Sequence, residues 1–159
     1  MLNWVKFISA FLLTLVAVIA IAVLYNANKP ISIAKKAAED KVIQSGQLTH
    51  VRDVQPYNGT SSMITVFGNN ADGENIAVFV QEDQTEKFQE VKLSEGITAK
   101  AAMDIVKKEQ KDAQIKHALL GLEGDNPIWE VAFKNEHGKL NYVYIQFQDG
   151  KWLKRILNL

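Results

Sequence analysis

The segment Phe7–Leu24, FISAFLLTLVAVIAIAVL, carries no charged residue. Built as a helix rising about 1.5 Å per residue, it would extend roughly 27 Å, close to the ~30 Å hydrocarbon core of a bilayer. Trp4 and Tyr25 bracket the run, where rings with an apolar body and a polar tip favour the two membrane interfaces. The pattern predicts residues 1–6 as a short tail, 7–25 as a transmembrane helix and 26–30 as a linker. A cleaved signal peptide competes, with Ala20-Ile21-Ala22 as an A-x-A site. That site lies inside the apolar run rather than after it, and the run exceeds the usual ~7–15 residues of a signal core. An uncleaved anchor is therefore the favoured expectation. Counted plainly, the basic residues lean against an outside C-terminal domain, with Lys6 before the span and Lys29, Lys35 and Lys36 after it. A six-residue tail, however, leaves the positive-inside rule little to count.

The rest of the chain excludes more chemistry than it offers. Formal net charge is zero and no block of like charge occurs, so there is no electrostatic footprint for nucleic acid. With no cysteine, disulfides, thiol catalysis and thiolate zinc sites are out. Ser32-Ile33-Ala34-Lys35 matches the S-x-x-K of penicillin-recognising enzymes, but neither S-D-N nor K-T-G occurs, and the serine is no nucleophile without them. Ser32 is better placed as a helix cap. His50, His117 and His137 stand singly, without metal-ligand spacing. Asp72-Gly73-Glu74 lacks the spacing of a calcium loop and reads as a glycine turn. The sequence predicts no catalytic residue, metal, cofactor or small-molecule substrate.

From Ile31 onward one pattern passes twice. Ile33, Ala34, Ala37, Ala38 and Val42 form a helical stripe, and so do Ala101, Ala102, Ile105 and Val106 behind a Thr98 cap. Strands are expected at Leu48–Tyr57, Ser62–Gly68, Ile76–Gln81 and Phe88–Leu93, then at Gln114–Leu122, Ile128–Lys134, Leu140–Phe147 and Trp152–Leu157. Trp129, Val131 and Phe133 alternate with Glu130, Ala132 and Lys134, the pattern of a half-buried strand. Placing Gly73 on Gly138 puts Val66 on Val131, Asn70 on Asn135, Val78 on Val143 and Phe79 on Tyr144. Helix and hairpin repeat together, the mark of a duplication. The expected class is α+β: two tandem units, at 31–94 and 95–159, each one helix on a three- to four-stranded antiparallel sheet. Ile76–Val80 and Tyr142–Ile145 are apolar on both faces. Each sheet therefore needs a second cover, either the sister unit or a partner protein.

The order of these pieces resembles a known family. One span and an alanine-rich helix lead to a glycine hairpin, then Glu95-Gly96-Ile97-Thr98, Pro127-Ile128-Trp129-Glu130-Val131 and Tyr142–Lys151 ending in F-x-x-G-K. This is similar to the TseB/YpmB cell wall elongation regulators of Firmicutes, built from PepSY-like (cystatin-like) units, over essentially the whole chain. The resemblance implies a non-enzymatic single-pass membrane protein, anchored through Phe7 to Leu24 with its N-terminus cytoplasmic and both units outside. It implies binding and modulation of a class B penicillin-binding protein, a membrane-anchored transpeptidase of cell wall elongation. An extracytoplasmic PepSY-type protease inhibitor or chaperone-like module is the alternative. The residues marked for partner binding are Trp129, Tyr142, Tyr144 and Trp152, each also a candidate for the core.

Overall fold

The computed structural model describes residues 2–81 and 88–159; Met1 and 82–87 lie outside it. Helix α1 (Leu2–Gln44) is a single helix of 43 residues. Its uncharged part is fully exposed, as an element whose surroundings are lipid would be. The helix continues through 26–30, where the sequence predicts a linker, and Pro30 lies inside it. A proline there removes one backbone hydrogen bond and presses its ring on the carbonyl four residues back. Ser32 is consequently an interior residue and not the expected cap. The helix stops at Ser45 and Gly46, whose N–H groups donate to the Lys41 and Ile43 carbonyls. Gly46 has φ +75°, the left-handed setting in which helices commonly end.

Two meanders follow. β1 (His50–Asn58), β2 (Ser62–Asn69), β3 (Asn75–Gln81) and β4 (Gln89–Lys92) form one antiparallel sheet in sequence order. A 3-10 turn at Leu93–Glu95 leads to helix α2 (Ala99–Glu109). Its Thr98 hydroxyl accepts from the Ala101 N–H, as the sequence predicts. β5 (Gln114–Glu123), β6 (Asn126–Lys134), β7 (Leu140–Gln146) and β8 (Trp152–Ile156) form the second sheet, again in sequence order.

The repetition extends to hydrogen bonds. At both glycine hairpins an asparagine side chain organises the turn. Asn70 Oδ1 accepts from the Asp72 and Glu74 N–H groups, and Asn135 Oδ1 accepts from those of His137 and Lys139. Gly73 (φ +76°) and Gly138 (φ +73°) take the left-handed position in each turn. Val66 pairs with Val78 and Val131 with Val143. Each first strand is also bulged at the same place, between Val51 and Asp53 and between Ile115 and His117.

Ala38 and Val42 of α1 pack on Leu48, Val66, Ile76, Val78, Val80 and Phe88. The opposite face of the first sheet presents Tyr57, Met63, Phe67, Ala77 and Phe79, and these enter one continuous core with the second unit and α2. The second cover that the two-faced strands of the first sheet require is thus the sister unit. Each large side chain buried there contributes roughly 1.5–3 kcal/mol. The joint is specific as well as apolar. Thr65, fully buried, donates its hydroxyl to the Leu120 carbonyl at 2.7 Å. The Tyr57 ring lies flat on Gly121, where an added Cβ would stand 2.5 Å from ring carbons. At the rim, Thr60 donates to Glu123 at 2.7 Å and Gln89 to the Asp125 carbonyl at 2.8 Å.

Gly121→Ala is expected to wedge the units apart, because both the backbone and the buried ring would have to move. A loss of about 1–3 kcal/mol should appear as a lowered urea midpoint.

Candidate interaction surface

Two places combine unusual chemistry with access to solvent. The first is built on the second sheet, on the β6 face that carries Glu130. Glu130 lies opposite Tyr144 on β7 and Leu119 on β5. Glu130 is only 6% exposed, and its carboxylate accepts from the Tyr144 hydroxyl. His117 Nε2 stands 3.6 Å away, brought there because the β5 bulge sets His117 against Ala132. The His117 ring is tilted against Tyr142, with centroids 6.5 Å apart. Lys154 Nζ sits 5.3 Å above the Tyr144 ring and 3.4 Å from Glu123. The result is a buried carboxylate walled by aromatic rings, with one imidazole and one ammonium at its edge.

Two tyrosines of this region resist ionisation. Burial chiefly, and then the Glu130 charge, holds the Tyr57 phenol well above its ordinary value. For Tyr144 the order is burial, then its hydrogen bond to Glu130. The hydroxyls differ in one respect: Tyr144 has an acceptor, whereas the buried Tyr57 oxygen has no hydrogen-bond partner. Gly59 leaves room for that atom, since any side chain there would collide with it.

The second place is a cavity of about 410 Å³ where α1 leaves the first sheet, on the side nearer the apolar run. Ile31, Ala34 and Ala38 form its helix wall, and Pro56, Met63, Ile64 and Val80 its sheet wall. Ile31 and Ile33 are exposed on the same stretch of helix.

The four residues marked from sequence separate. Tyr142 and Tyr144 stand together beside Glu130. Trp129 is buried, and its indole N–H donates to the Ile97 carbonyl at 2.8 Å, so it braces the segment leading into α2. Trp152 is half-buried on β8 under the Arg155 guanidinium, 3.8 Å from its ring centroid. Glu130 and His117 were not marked. The alternation along β6 predicts Glu130 on a wet face, yet six consecutive residues, Ile128–Phe133, are buried. Its cover comes from neighbours across the ladder, Tyr144 and Leu119, beside the Tyr57 ring of the first unit. Among the described residues no group of three or more His, Cys, Asp or Glu is placed to hold a metal.

The fold defines a class: a two-unit α+β protein on a long N-terminal helix. A protein-family model described as "Cell wall elongation regulator TseB-like domain" matches residues 37–81. The chain is 30% identical over 121 residues to "Probable cell wall elongation regulator TseB" of Bacillus subtilis (strain 168), covering 76% of this chain and 75% of that one. The solved structure of "YpmB protein from Bacillus subtilis" superposes with a TM-score of 0.69 at 30% identity, covering 77% of this chain and 95% of that one. The chain belongs to the TseB family of cell wall elongation regulators.

Tyr144→Phe is expected to cost about 1–3 kcal/mol, because the buried Glu130 carboxylate loses a donor. Tyr57→Phe removes an unpaired hydroxyl and should change stability by less than about 1 kcal/mol. Both tyrosines have raised pKa values when folded. The stability they contribute is therefore intact below the ordinary value of about 10 and is lost as pH climbs through the higher folded values. Urea titrations between neutral and strongly alkaline pH should show that loss in the parent and less of it in Tyr57→Phe.

Proposed function

We propose that this protein is an uncleaved single-pass membrane protein, with its N-terminus cytoplasmic and both units outside. In this reading it binds and modulates a membrane-anchored class B penicillin-binding protein during cell wall elongation, without catalysing a reaction itself. Membership of the elongation-regulator family supports the process. The observation that carries the anchored reading is α1, an exposed uncharged run continuous with the helix whose Ala38 and Val42 complete the core of the head. Confinement to the membrane would raise the effective concentration of the head beside other anchored proteins. Its contacts would then fall on the membrane-proximal part of the partner, within reach of the cavity at Ile31 and the exposed Ile33. The non-enzymatic reading is supported by the family name and by the character of the most buried charge. Glu130 is engaged by Tyr144 and His117, and the cavity is lined mainly by aliphatic groups.

Photoreactive residues at Ile33, Tyr142, Tyr144 and Trp152 in living cells test this. The expected result is an adduct with an elongation penicillin-binding protein from at least one site. Adducts confined to an envelope protease would replace the proposal with the protease-inhibitor reading.

A further inference from the structure

A regulator on a loose tether and a regulator on a rod differ in one respect. On a rod, the direction in which the head faces is part of the structure. The sequence around 26–30 is the weakest helical stretch of α1. Asn26 and Asn28 are poor helix formers, and Pro30 disfavours the helical setting of the residue before it. The helix nevertheless continues through this stretch. Beyond it, Lys36 bridges to Asp40 at 3.0 Å and to Glu39 at 3.7 Å, pairs at helical spacing that support the turn leading to Ala38. Ala38 and Val42 are 3% and 0% exposed, so the rotation of α1 about its own axis is fixed against the first sheet. The buried bond from Thr65 to Leu120 and the Tyr57–Gly121 contact carry that setting on to the second sheet. From Leu24 to Ala38 the rise is about 21 Å, with no extended residue in between.

We infer that α1 is a rigid spacer. It fixes both the height of the head above the bilayer and its rotational setting, so that only one side of the head faces a partner held in the same membrane. This rests on the proposed anchored reading. The intact mass of the chain recovered from cells reports separately whether the span is retained.

The chain has no native cysteine, so spin labels can be placed cleanly at Tyr25→Cys and Lys108→Cys. Distances are then read by pulsed dipolar spectroscopy on the full chain in phosphatidylglycerol-containing nanodiscs. The expected result is one narrow distance distribution. An alanine inserted after Lys29 should shift its mean, since each added helical residue turns the head by about 100° and lifts it by about 1.5 Å. Replacing residues 26–29 by Gly-Ser-Gly-Ser should broaden it. A parent distribution as broad as that of the Gly-Ser variant would overturn the rigid spacer.

The second arm reads adduct yield with the partner. Two inserted alanines turn the head by about 200° and should abolish the adduct. Four inserted alanines return it to within about 40° of the start and should retain it. Equal yields from both insertions would overturn the claim that facing direction matters. If the parent itself gives no penicillin-binding-protein adduct, the regulator reading falls while the distance measurement still decides the spacer.

Discussion

The contact between the two units is the constraint on which everything else in this molecule depends. A four-stranded sheet with a single helix is too small to bury much apolar surface alone. Here the first sheet is closed by α1 on one side and by the second unit on the other. The register of that joint is fixed by a hydroxyl and a glycine. Thr65 reaches one backbone oxygen of β5, and Gly121 leaves the space that the Tyr57 ring occupies. With the units locked, the head presents one fixed set of surfaces, and α1 is joined to it through Ala38 and Val42.

Much of this was legible residue by residue. The eight strands lie where periodicity and turn residues place them, within a residue or two at their ends. The Thr98 cap and both Asn-x-x-Gly turns form as read, and the duplicated hairpins repeat down to the atoms that the asparagines bond. The misreadings share a cause. Pro30 and Ser32 carry local stop and start signals, yet the helix runs through them into Ala38 and Val42, whose packing on the first sheet holds its far end. Glu130 reads as a solvated residue because alternation is blind to what lies across the ladder. Side chains from other strands, Tyr144 and Leu119 across the ladder and Tyr57 of the first unit, surround it. The sequence marked the first sheet as two-faced, but the identity of its second cover is a long-range fact that no local pattern encodes.

Duplication also explains why the two sheets now differ. Thr65 and Glu130 occupy equivalent positions, as do Phe79 and Tyr144. In the first unit these positions face the sister unit and have become a small hydroxyl and a plain phenyl ring. In the second they have become a carboxylate and a phenol that satisfy one another, beside a half-buried Tyr142 and an exposed His117. The same architectural position closes the molecule in one copy and is dressed with polar chemistry near the surface in the other.

Among the described residues of α1 the first buried side chain is Ala38, well past the uncharged run that ends at Leu24. The apolar run and the core therefore share one helix but, among the described residues, no side chain. In the proposed anchored reading the run need only remain apolar for the thickness of a bilayer, which many sequences meet. At Ala38 and Val42 the requirement is a particular volume against particular neighbours. Across relatives, the first part of α1 should accordingly drift almost freely in sequence while keeping its length and hydropathy. Its last two turns should hold their residue sizes, so that one helix records two rates of evolutionary change.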